Sequence, residues 1–117
     1  MMRLDHLGVD VAELPRTRDW YVSVLGLTVE FENADPPVVG LRDDGDFTLI
    51  LAETGGDPSR CNLFFQVDDV AATHRALVER GVTFQRAPGR NAWGYGAELL
   101  DPDGRLVGLW DERSMGD

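Results

Sequence analysis

Few side chains in this sequence can do acid–base, metal or covalent chemistry. The chain has two histidines, His6 and His74, and one cysteine, Cys61. His6 lies in the alternating run RLDHLGVDV, Arg3 to Val11. An imidazole there can serve as a metal ligand, as a general base or as a hydrogen-bonding wall of a pocket, and with no partner carboxylate or nucleophile singled out by spacing the wall role is favoured. Glu98 is the second candidate, able to hold a cation or take a proton. Cys61 opens the run CNLFFQV and is expected on a packed side as a small hydrophobe, so a thiol mechanism is not expected. Around these stand hydrogen-bonding groups, Thr48, Asn62 and Gln66, and rings able to stack on a planar or cationic ligand, Phe64, Trp93, Tyr95 and Trp110.

The composition excludes several classes of function. A net charge of −10, from 21 acids against 11 bases, opposes nucleic acid and anionic membranes and attracts cationic ligands. All the bases are arginine. One cysteine rules out an intramolecular disulfide framework, and there is no apolar stretch of about 20 residues or signal-peptide pattern, which places the chain in the cytoplasm.

The elements that must carry these residues are legible in order. A strand over Arg3 to Val11 puts Leu4, His6, Gly8 and Asp10 on one side and Asp5, Leu7, Val9 and Val11 on the other. Pro15 opens a helix that Gly26 stops, and a strand Thr28 to Glu32 follows. Pro36-Pro37 breaks the chain, and Val38 to Arg42 and Phe47 to Ala52 form a hairpin around Asp43-Asp44-Gly45-Asp46. The stretch Glu53 to Arg60, ETGGDPSR, has linker composition. From Cys61 the order repeats, with a strand to Val67, an Asp68-Asp69 cap, a helix Val70 to Glu79, a stop at Gly81 and a strand Val82 to Gln85. Cys61, Leu63, Phe65 and Val67 suit a helix-packed side of the fifth strand, and Asn62, Phe64 and Gln66 the inner one.

The last stretch, Asn91 to Asp111, is a hairpin around Asp101-Pro102-Asp103-Gly104. A simple four-residue loop pairs Leu99 with Leu106, Ala97 with Gly108 and Tyr95 with Trp110 on one side. Glu98 then faces Val107 and points away from that side. A one-residue bulge turns it inward, and both placements stand at this level.

A doubled βαβββ order, a first strand ending HLGVDV, a helix RDWYVSVLGL and a late WGYGAELLDPDGRLVGLW together resemble the vicinal oxygen chelate superfamily over essentially the whole chain. Its members include glyoxalase I, extradiol dioxygenases, fosfomycin-resistance enzymes and bleomycin-resistance proteins, and the acidic character looks most like the last. The resemblance implies an α+β fold of two βαβββ modules with pseudo-twofold symmetry, forming a curved mixed sheet around a cleft with helices outside. Residues 1–117 are then one domain, with module 1 at about 1–53, a linker at about 54–60 and module 2 at about 61–113. It also implies a homodimer.

In the metalloenzymes of the superfamily the ligand positions correspond here to His6, Ile50, Asn62 and Gly108. Isoleucine and glycine side chains offer no donor, and an amide is a poor ligand for zinc or iron. The expected function is therefore metal-independent binding of a small molecule, such as a cationic or aromatic antibiotic, with no cofactor. The ligand-binding residues are expected to be His6, Thr48, Ile50, Asn62, Phe64, Gln66, Trp93, Tyr95, Glu98, Leu106 and Trp110. The competing expectations are a divalent-metal lyase, isomerase or dioxygenase with an atypical ligand set, a metal-free enzyme using His6 or Glu98 as base, and an interaction module without a ligand.

Overall fold

The structure is a computed structural model that describes residues 4–58, 60–91 and 94–114. The chain divides into two compact units, Met1–Arg60 and Cys61–Asp117. Each unit is a strand, a helix and three strands, the α+β order expected. The first holds β1 (His6–Asp10), α1 (Leu14–Ser23), β2 (Thr28–Ala34), β3 (Pro37–Arg42) and β4 (Thr48–Ala52). The second holds β5 (Leu63–Gln66), α2 (Val70–Glu79), β6 (Phe84–Asn91), β7 (Gly94–Leu100) and β8 (Leu106–Trp110).

Both sheets are mixed and four-stranded, in the orders β1-β4-β3-β2 and β5-β8-β7-β6. The first strand of each unit runs parallel to the last, and the other pairs are antiparallel. One helix can cover one face of such a sheet, so each sheet has a helix face and a helix-free face. In the first unit Val9, Val39, Leu41, Leu49 and Leu51 are buried on the helix face with Leu14 and Tyr21 of α1. In the second, Leu63, Ala97, Leu99, Val107 and Leu109 are buried with Val70 and Leu77 of α2.

The helix ends follow local chemistry. Asp69 accepts the Ala72 amide at 3.1 Å as the N-cap of α2, whose bounds are those expected from the sequence. Gly26 and Gly81 take φ of 77° and 90° just past the two helices, letting Leu27 N–H reach Tyr21 O and Val82 N–H reach Leu77 O. At each helix start the first amide is taken by the acid that follows the unit's last strand. Leu14 N–H donates to Glu53 Oε1 at 2.9 Å, and Val70 N–H to Asp111 Oδ2 at 2.6 Å. Glu53 therefore belongs to the helix cap and not to a structureless linker.

The carboxyl of Asp111 is only 1% exposed. Burial pushes its pKa up, but the Val70 amide, hydrogen bonds from Ser114 and the charge of Arg113 outweigh this and hold it below the ordinary aspartate range.

Three expectations about strands are corrected. Cys61 and Asn62 precede β5 and are exposed, because the parallel ladder with β8 begins only at Leu63. The sixth strand runs to Asn91 in place of stopping at Gln85, since irregularities at 84/86 and 86/89 let it keep pairing with β7. The β7–β8 register is shifted by one residue, with Leu100 opposite Leu106, Leu99 opposite Val107, Glu98 opposite Gly108, Ala97 opposite Leu109 and Gly96 opposite Trp110.

The cause of that shift is Arg105. Its carbonyl accepts the Asp101 N–H at 2.9 Å, closing the loop on an Asp101–Arg105 pair, and its Nη1 meets Asp101 Oδ2 at 2.5 Å with both side chains buried. The other oxygen of Asp101 accepts the amides of Asp103 and Arg105, each at 2.9 Å, and Gly104 closes the loop at φ 82°. Five residues are thereby consumed where four were expected, and a one-residue slip exchanges the faces of a whole strand relative to its partner.

Candidate functional site

The helix-free faces can be read row by row across each sheet. In the second unit one row is Phe64, Gly108, Glu98 and Arg86, and the next is Gln66, Trp110, Gly96 and Gly89. Leu106 and Leu100 face each other at the apolar end of the hairpin. Glu98 thus lies on the helix-free face, opposite Gly108 rather than Val107.

The glycines shape this face. A Cβ on Gly108 would come within 2.5 Å of the Phe64 ring, so that ring lies against bare backbone while remaining 65% exposed. A Cβ on Gly96 would meet the Leu109 carbonyl oxygen at 2.5 Å, a close approach that only glycine allows. Gly89 is open, with nothing nearer than 3.9 Å. Trp110 therefore looks across a strip without side chains on β7 and β6. Beside the strip Arg86 Nε lies 3.4 Å from Glu98 Oε1, both side chains being about two-thirds buried or more.

In the first unit the corresponding rows are Gly8, Ile50, Gly40, Phe31 and His6, Thr48, Arg42, Thr28. Glu30 shares this face with Thr28 by alternation, and the irregularity between Val29 and Phe31 brings Phe31 to it as well. Glu30 accepts Arg42 Nε at 2.6 Å, pairs also with Nη2, and accepts the Thr48 hydroxyl at 3.2 Å. Phe31 covers Gly40 so closely that a Cβ there would fall inside the ring's contact distance.

His6 has a carboxylate partner after all. Its Nδ1 donates to Asp5 Oδ1 at 2.8 Å, which fixes Nε2 as the basic nitrogen of the neutral ring. Both side chains are more than half exposed. His74 packs edge-on against Phe84 at 4.6 Å between ring centroids, on the helix side of its sheet.

Of the residues expected to share a site, the structure brings Phe64, Gln66, Glu98, Leu106 and Trp110 onto one face, and His6, Thr48 and Ile50 onto the corresponding face of the first unit. Tyr95 pairs with Arg90 and shares the parity of Ala97 and Leu99, so it does not stand beside Trp110. Leu99, at 0% exposure, leaves the side it was expected to share with Leu106 for the helix-side core. Asn62 lies outside β5, and Trp93 lies outside the described residues. Glu30, Phe31, Arg42 and Arg86 were not anticipated, because two of them reach the face through strand irregularities and the others are charges that alternation alone assigns to solvent.

No group of three or more His, Cys, Asp or Glu side chains able to hold a metal ion occurs among the described residues. On β1 and β4 His6 stands opposite Thr48, and Ile50 opposite Gly8. The imidazole of His6 with an isoleucine, an amide and a glycine at positions 50, 62 and 108 does not make a donor set for the divalent metals of the superfamily's enzymes.

The model of the Glyoxalase/Bleomycin resistance protein/Dioxygenase superfamily matches residues 3–109, and the chain belongs to that superfamily. Among solved structures it is similar to TnmS3, an antibiotic binding protein from Streptomyces sp. CB03234, at 26% identity and a TM-score of 0.83, over 95% of this chain and 96% of that one. It is similar to a glyoxalase/bleomycin resistance protein from the same organism at 28% identity and a TM-score of 0.73, over 91% and 98% of the two chains. A superfamily member from Sphaerobacter thermophilus DSM 20745 shares the fold at 23% identity and a TM-score of 0.83, over 96% and 98%. No curated protein matches the sequence. No helix among the described residues is long and apolar enough to cross a membrane.

Proposed function

We propose that this protein binds a small planar molecule, aromatic or cationic and antibiotic-like, on the helix-free face of its second unit, without a metal, as a cytoplasmic homodimer. The observation that carries this reading is the gathering of Phe64, Trp110 and Glu98 around the side-chain-free strip of Gly96 and Gly89. A core would fill that strip with apolar side chains, whereas a planar ring needs flat backbone beneath it and aromatic edges beside it. The likeness to an antibiotic binding protein over nearly the full length of both chains supports the same reading.

Isothermal titration with a panel of planar aromatic compounds tests it. Binding in the micromolar range that falls at least about tenfold in Phe64→Ala or Trp110→Ala is expected, each lost stack being worth on the order of 1 kcal/mol beyond area burial. A panel without a single binder tighter than about 1 mM would overturn it.

The enzymatic alternative has one observation in its favour, the Asp5–His6 dyad. Its Nε2 could accept a proton without any metal. Exposure to water leaves that nitrogen no enclosed substrate position in the first unit, so binding remains the reading the geometry supports best.

A further inference from the structure

This inference rests on the ligand-binding reading of the second unit's helix-free face and concerns the charge that face selects. Among the described residues two glutamate–arginine pairs lie on the helix-free faces, and they are closed to different degrees. Glu30 holds Arg42 through two guanidinium nitrogens and also takes the Thr48 hydroxyl. Arg86 approaches Glu98 through Nε at 3.4 Å, longer than a well-formed N–H···O hydrogen bond. On its other flank Glu98 meets Gly108, which has no side chain, and beyond it the exposed ring of Phe64.

We propose that Arg86 is the specificity-determining residue of this face, an internal counter-ion that a cationic group on a planar ligand displaces from Glu98. The ligand class is then a planar aromatic cation. Opening a single long, partly exposed contact costs little, while a ligand cation on Glu98 gains a charge-assisted hydrogen bond and lies within reach of the Phe64 ring face. The net charge of −10 draws the same class of molecule toward the protein. An anionic ligand would instead have to pair with Arg86 in that negative field, and a neutral ring would leave the ion pair untouched.

Fluorescence titration at low salt with proflavine, a planar cation, acridone, a neutral ring of similar size, and anthraquinone sulfonate, a planar anion, tests this in the wild type and in R86Q, R86K and E98Q. Thermal melts confirm that each variant folds. Proflavine is expected to bind most tightly. R86Q raises its affinity about 2- to 5-fold and leaves acridone within about 2-fold, R86K stays near wild type, and E98Q brings proflavine down to the acridone level. Weaker proflavine binding in R86Q, or a preference for anthraquinone sulfonate, would overturn the proposal. Rings that bind without regard to charge would sink the role of Arg86 and keep the planar-ligand reading. If none of the three binds, that reading fails and this one with it.

Discussion

The two units repeat one topology and place contrasting chemistry on matching rows. The first unit's row runs Gly8, Ile50, Gly40, Phe31, and the second unit's runs Phe64, Gly108, Glu98, Arg86. Each lays one aromatic ring on a glycine, but from opposite edges of the sheet, Phe31 from β2 and Phe64 from β5. The first unit closes its glutamate on Arg42 and Thr48, and the second leaves Glu98 with one long contact. On the helix faces the units agree, down to the acid that caps the helix. The ladder thus fixes where side chains stand, and a handful of identities on the helix-free row decide how tightly each glutamate is held.

The hairpin loops should break the comparison most strongly. Asp101 is buried against Arg105, whereas Asp43 accepts Gly45 and Phe47 amides at the surface. Asp101→Ala is expected to cost about 3–5 kcal/mol by stranding a buried guanidinium, and Asp43→Ala about 1 kcal/mol, as read by urea denaturation. Equal costs would mean that the buried Asp101–Arg105 pair is not what holds this loop.

The two helix caps come next. Asp111→Ala, removing a buried cap, should cost about 1–2 kcal/mol, and Glu53→Ala less, since Glu53 is exposed. The same acid supplies a pH test. Because the folded pKa of Asp111 is depressed, the native state binds fewer protons than the unfolded chain. Its stabilising contribution is complete above the ordinary aspartate range and is lost as pH falls through that range toward the folded value. Acid melts of wild type and Asp111→Asn should therefore converge as pH falls, and parallel curves would exclude this origin.

The smallest effect on stability should come from the ring-bearing glycines. Gly108→Ala pushes Phe64, 65% exposed, off the sheet and should cost under about 1 kcal/mol while weakening planar-ligand binding about 5-fold. Gly40→Ala displaces Phe31 and should leave that binding unchanged. Equal losses in both variants would end the assignment of the ligand to the second unit.

Much of the scaffold was legible because its signals are local. The bounds of α2, the stops at Gly26 and Gly81, and the division of Leu63 and Phe65 from Phe64 and Gln66 depend on neighbours within a turn or on simple alternation. The candidate site was legible only in part. Phe64, Leu106 and Trp110 follow from parity on their own strands, whereas the partners of Glu98 do not.

The sequence by itself determined the doubled strand–helix–strand order, which rests on residue type and periodicity, and through the likeness of its motifs it pointed to the superfamily. The tertiary structure decided the face of Glu98, the loss of Tyr95 and Leu99 from the side expected to carry Leu106 and Trp110, and the arrival of Phe31 and Arg86. The reason is that strand register has a period of two, so one residue drawn out of the ladder moves a strand's partners to opposite faces. Whether the loop closes on an Asp101–Arg105 pair depends on burying an ion pair, an energy that alternation does not record.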